Sequence, residues 1–113
     1  MIENNYASAH RKAINTDKIL LVYLIKKDCM HCNKELMKIM QNKKLAALIE
    51  KKTVYVIINK DQEESYPIEM LYTPHYPTLF FLDRYELFHC KTLEKNIEEK
   101  AIENCLEETT DAK

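Results

Sequence analysis

The chain contains no glycine, where a globular protein ordinarily uses about 7%. Turns that need a positive φ must therefore use Asn or Asp, or be avoided. Excess charge of either sign is missing too. Seventeen basic and 18 acidic residues leave a net charge of −1, which gives no electrostatic case for nucleic acid or an acidic membrane surface. Long apolar runs are also absent. The stretch Ile19 to Ile25 has seven residues, against the roughly 20 that a spanning helix needs. Residues 1 to 18 are polar, include Glu3 and Asp17, and do not read as a secretory leader. Either the protein is cytosolic, which the chain as it stands favours, or a leader was removed on export to a compartment such as the bacterial periplasm. At 113 residues, 46% of them hydrophobic and 31% charged, a single soluble domain over residues 1–113 is expected. Its core would need neither structural disulfides nor metal.

What is present is concentrated in one stretch, ILLVYLIKKDCMHCNKEL, from Ile19 to Leu36. Its apolar start reads as a strand buried on both faces. Lys26, Lys27 and Asp28 end that strand. Cys29-Met30-His31-Cys32 follows, and Leu36, Ile39 and Met40 then recur at helical spacing. A Cys-x-x-Cys at a strand-to-helix junction has a physical use. The helix start offers unpaired amide donors and the positive end of a dipole, both of which stabilise a thiolate. Such sites lower a cysteine pKa from about 8.5 into the range of roughly 3.5 to 7.5. Cys32 lies on the same helix face as Cys29 and can close a disulfide with it. Dithiol–disulfide chemistry is the expected function.

The remaining elements follow from pattern. Asn5 to Ile14 has the Tyr6, Ala9, Ala13 spacing of a short amphipathic helix, and Asn15-Thr16-Asp17 is the turn after it. Gln41-Asn42-Lys43 interrupts the helix after the motif, and Leu45, Leu48 and Ile49 resume it in a shifted phase. Thr53 to Ile58 is a second strand, so the unit is a right-handed parallel crossover. Asn59 to Ser65 is a polar connection, and Tyr66 to Tyr72 reads as a helical turn. Pro77 precedes a strand from Thr78 to Leu82, Asp83-Arg84-Tyr85 turns tightly, and Glu86 to Cys90 returns as an antiparallel edge strand. Leu93 to Glu108 reads as the closing helix, with Leu93, Ile97, Ala101, Cys105 and Leu106 on one stripe.

This order, strand–CxxC–helix–strand–Pro–strand–strand–helix, resembles the thioredoxin fold from Tyr6 to Glu108. Two motifs carry the resemblance: DCMHC at the helix start and YPTLFFLD before the third strand. It is nearest to small bacterial thioredoxin-like domains that begin with a helix. The resemblance implies an α/β protein with a central mixed sheet of about four strands and helices on both faces. It implies a cis peptide at Tyr76–Pro77, with both residues over Cys29 to receive substrate. There are departures. Thioredoxins carry a buried Asp six residues before the first cysteine, and here that position is Tyr23. Their Trp before the first cysteine is Asp28, and their Gly-Pro between the cysteines is Met30-His31. The chain therefore does not read as the housekeeping thioredoxin.

Cys29 is expected to be the nucleophile and Cys32 the buried resolving thiol. His31, in a place where thioredoxin-fold oxidases and isomerases often have histidine, is expected to stabilise the thiolate and make the couple more oxidising. Asp28 opposes it, while Lys26 and Lys27 offset Asp28. His75 reads as a surface-loop residue, and Met30, Tyr72 and Tyr76 as an apolar rim. Cys90 and Cys105 read as core thiols that pair neither with each other nor with the motif, which tilts the protein towards a reducing compartment. No metal and no bound cofactor is expected, and the partners would be protein dithiols or disulfides and a redox partner protein. A monomer is expected. Two rival readings are an exported oxidase or isomerase, and a non-catalytic partner-binding module. A small zinc domain is the third, disfavoured because Cys90 and Cys105 lack ribbon spacing.

Overall fold

The computed structural model describes residues 2–3, 5–62 and 73–111; the expected turn at Tyr66 to Tyr72, and Tyr72 itself, lie outside the described residues. The elements run β1 (Ile2–Glu3), α1 (Tyr6–Thr16), β2 (Ile19–Ile25), α2 (Met30–Gln41), α3 (Lys43–Lys52), β3 (Thr53–Asn59), a 3-10 turn (Lys60–Gln62), β4 (Thr78–Leu82), β5 (Leu93–Glu94) and α4 (Glu99–Asp111). They build one mixed sheet in the order β1-β3-β2-β4-β5. β2 lies at its centre, parallel to β3 from Ile19↔Thr53 to Ile25↔Asn59 and antiparallel to β4 from Leu20↔Leu82 to Leu24↔Thr78.

The period of two along β2 divides the core. Leu20, Val22 and Leu24 face Ala9 and Ala13 of α1, together with Val54, Val56, Phe80 and Leu82. Ile19, Leu21 and Tyr23 face the other way, onto Ile39, Leu45, Ile49, Ile102 and Leu106 of the three later helices. Helices therefore cover both faces, as expected of a strand apolar at every position. The helix ends are capped by side chains. Asn5 accepts from the Ser8 amide at 2.8 Å, and Asn42, which separates α2 from α3, accepts from the Leu45 amide at 3.1 Å.

Among the described residues four hold positive φ: Asp17, Asp28, Glu86 and Lys95. Two are the aspartates that a glycine-free chain is expected to use, but Glu86 and Lys95 are not. Glu86 is held there by tertiary contacts, since its carboxylate accepts from the Tyr6 hydroxyl at 2.5 Å and faces His10 Nδ1 at 3.7 Å.

Both segments after β4 differ from the sequence expectation. Glu86 to Cys90 is not a strand: one bridge joins Leu82 to Phe88. The Asp83 carboxylate accepts from the amides of Tyr85 and Leu87 at 2.8 and 3.0 Å, which curls the chain out of the ladder. Pairing with β4 resumes at Leu93 and Glu94, opposite Leu79 and Thr78. The last helix starts at Glu99 rather than Leu93, because the intervening amides serve tertiary partners. Lys95 N–H donates to the Pro77 carbonyl at 2.7 Å and Ile97 N–H to the Glu35 carboxylate at 2.9 Å. Ile97 is fully buried as expected, but from a connection and not from a helix.

Candidate active site

Asp28, at φ 57°, turns the chain from the β2 exit into α2. The loop is pinned from below, where Lys27 N–H donates to the Asp61 carboxylate at 2.7 Å. Cys29 is the N-cap of α2, with extended backbone. Its sulfur accepts from the Cys32 amide at 3.0 Å. Cys29 and Cys32 form a disulfide, with Cα atoms 5.2 Å apart. Cys32 is 1% exposed, whereas Cys29 is half-buried. The outer sulfur is thus the reachable one, and it already holds the helix-start hydrogen bond that would stabilise a thiolate. Beside it opens a cleft of about 410 Å³, lined by Lys26, Lys27, Asp28, Cys29, Met30 and Asn33 among others. Met30 is 85% exposed on its rim. A cavity of about 30 Å³ elsewhere, among Leu21, Ile39 and Ile102, belongs to the apolar core.

Beneath the motif lie two groups that shape it. The Tyr23 hydroxyl donates to the Cys32 carbonyl at 2.8 Å. Burial, and then the charge of Glu35, raise its pKa well above the phenol range, so Tyr23 stays a donor and does not replace the missing Asp as a proton acceptor. Glu35 is 6% exposed. Burial alone would raise its pKa. The hydrogen bonds from Lys38 Nζ (2.9 Å) and Ile97 N–H (2.9 Å), with the charges of Lys38 and His31, outweigh that and hold it below the usual carboxylate range. Sequence reasoning missed Glu35. It is the one acid of α2, between Lys34 and Lys38 on a helix that reads as an ordinary solvated surface, and the signal for it was its position one turn beyond Cys32 and His31.

The His31 ring bonds away from the motif. Its Nε2 lies 2.8 Å from the Lys95 carbonyl oxygen; a carbonyl can only accept, so Nε2 carries the hydrogen. The Lys95 amide donates in turn to the Pro77 carbonyl. One residue, Lys95, thereby links the motif to the loop before β4 through its amide and its carbonyl. The Tyr76–Pro77 bond in that loop is cis, as the resemblance implied. Pro77 is buried and Tyr76 half-buried, with Lys26 Nζ 5.6 Å and Lys60 Nζ 6.0 Å from the Tyr76 ring centroid. His75 lies on the same loop, 4.0 Å from the Glu94 carboxylate.

One expectation fails. Cys90 and Cys105 are bonded to each other, with Cα atoms 6.1 Å apart. Their separation in sequence said nothing about distance in space. Cys105 sits on the buried stripe of α4, and Cys90 packs against the same core cluster from the irregular segment after β4. His89 lies next to the pair, and the three donor atoms fall within 4.8 Å of one another. With the two sulfurs joined, neither is a thiolate able to ligate metal. Among the described residues no helix is long and apolar enough to cross a membrane.

No protein-family model and no curated protein matches the chain. Solved structures do. A thioredoxin from Thermus thermophilus superposes with a TM-score of 0.75 at 17% identity, covering 96% of this chain and 87% of that one. A DsbH oxidoreductase gives 0.70 at 17% identity, over 95% and 84% of the two chains. A disulphide isomerase from Xylella fastidiosa gives 0.65 at 18% identity, over 92% and 87%.

Proposed function

We propose that this chain, which has the thioredoxin fold, is a thiol–disulfide oxidoreductase that acts on protein disulfides through Cys29 and Cys32. One observation carries the reading. Cys29 is half-buried at the start of α2 and its sulfur accepts a hydrogen bond from the Cys32 amide, while Cys32 is buried behind it. In the reductive direction the Cys29 thiolate attacks one sulfur of a substrate disulfide, forms a mixed disulfide and releases the other sulfur as a thiolate. The Cys32 thiolate then attacks Cys29 Sγ, closes the Cys29–Cys32 bond and releases the second substrate thiolate. Two electrons pass to the substrate, and a partner dithiol restores the pair by the same two exchanges in reverse. Tyr76 and Pro77, with the cleft beside Cys29, receive the substrate chain. His31 tunes the couple from its place on the Lys95 carbonyl. Neither step uses a cofactor or metal.

Catalysed reduction of insulin by a small dithiol tests this. Wild type should turn over. Cys29→Ser should be inactive, and Cys32→Ser should stall as a mixed disulfide visible by mass. A chain that binds partners without turnover would be a binding module instead.

A second reading is favoured by the Cys90–Cys105 bridge. Structural disulfides persist in oxidising compartments, so the same exchange could run towards substrate oxidation or isomerisation in an exported protein. The reduction potential of the Cys29–Cys32 couple separates the two. A value near that of thioredoxin, about −270 mV, marks a reductant, and one near that of DsbA, about −120 mV, an oxidant.

A further inference from the structure

We propose that the Cys90–Cys105 bridge is a positioning device for the dithiol: it fastens a strap, residues 90–105, whose backbone holds the first turns of α2, and so sets the reactivity of Cys29. The inference rests on the exchange reading above. All the strap's attachments to the site fall between the two bridged cysteines. Glu94 and Leu93 pair with Thr78 and Leu79. The Lys95 amide donates to the Pro77 carbonyl at 2.7 Å, and its carbonyl accepts from His31 Nε2 at 2.8 Å. Two residues on, the Ile97 amide donates to buried Glu35 at 2.9 Å. The strap thus grips α2 at residues one turn apart, and grips the cis-proline loop through the same residue, Lys95.

Before α4 begins at Glu99 the strap has little regular structure of its own. β5 is two residues long, and Lys95 sits at φ 65°, a conformation that a non-glycine residue keeps only when its surroundings impose it. Besides buried Ile97 and these few hydrogen bonds, its two ends are what locate it. Cys105 belongs to α4, fixed in the core through Ile102 and Leu106. Cys90 would otherwise be the end of an irregular segment, and the bridge ties it to α4. Cutting that tie lets the strap slacken, which frees His31 and the Glu35 turn together. The first turn of α2 then frays, and the Cys32 amide is held less well on the Cys29 sulfur. A thiolate that loses a donor is less favoured, and the pH at which Cys29 becomes reactive rises.

The test uses Cys32→Ser, in which Cys29 is a lone thiol while the bridge stays closed, as mass mapping verifies. Alkylation of Cys29 is followed from pH 5 to pH 10, with and without C90A/C105A. Removing the bridge should slow alkylation at pH 6 by roughly threefold to tenfold and leave the rate at pH 10 within about twofold, because only the thiolate fraction changes. Glu35→Gln removes the charge but keeps an acceptor for the Ile97 amide, whereas Glu35→Ala removes both; with the bridge intact, the Ala profile should lie at higher pH than the Gln profile, and the shift from Gln to Ala should be smaller once the bridge is gone. A folded bridge-less protein with an unshifted profile overturns the inference. Should C90A/C105A not fold, C90S/C105V replaces it; if neither folds, the bridge serves the fold and the inference also falls. Failure of the exchange reading looks different: Cys29 in Cys32→Ser would form no mixed disulfide with a peptide disulfide, whatever the state of the bridge.

Discussion

At the residue scale, the site's chemistry depends on groups whose roles differ in how readable they were. That Cys29 and Cys32 can close a disulfide was legible from their spacing at a strand-to-helix junction. Glu35 was not, since helical charge patterns show periodicity and not which acid a later segment will cover. Its depressed pKa has a consequence with a definite sign. A carboxylate whose folded pKa lies below its unfolded value stabilises the fold above the ordinary glutamate value of about 4.3, and that contribution is lost as the pH falls through the folded value. Urea unfolding of wild type and Glu35→Gln should therefore differ most near neutrality and converge as the medium is acidified below about pH 4. The Gln side chain keeps an acceptor for the Ile97 amide, so the difference reports charge. Tyr23→Phe removes the hydrogen bond to the Cys32 carbonyl and should cost about 0.5–1.5 kcal/mol, read as a lower urea midpoint at unchanged m. His31→Ala removes the ring that donates to Lys95; the Cys29–Cys32 couple should become more reducing, measured against a series of thiol buffers.

At the element scale, what local pattern could specify came out as read. β2, β4 and the break at Asn42 follow from apolar runs, a proline boundary and an Asn cap. The failures cluster after β4, where tertiary contacts override propensity. Leu93 to Glu98 has ordinary helix formers, yet its amides find better partners in Pro77 and Glu35. The Cys90–Cys105 bond failed for the same reason, since it depends on how α4 docks. The bond closes a loop between cysteines fifteen residues apart, which in the chain-entropy account stabilises the fold by about 3 kcal/mol. C90A/C105A should accordingly melt roughly 10–20 °C below wild type, by circular dichroism without reductant.

At the scale of the whole molecule, the fold was legible because one strand, β2, had to be covered on both faces, and the order of elements around it leaves few topologies. The sheet ends in two-residue strands on either side, β1 and β5. Such short edges offer little template for pairing with a second sheet, and sedimentation should give the mass of one chain. A last consequence concerns light. The chain has seven tyrosines and no tryptophan, so its near-ultraviolet emission is tyrosine emission throughout. Tyr23 is bonded to the carbonyl of Cys32 itself, and a neighbouring disulfide is an efficient quencher of an excited phenol. Opening the Cys29–Cys32 bond should brighten Tyr23, and Tyr23→Phe should remove that gain, giving the protein an optical record of its own redox state without any added dye.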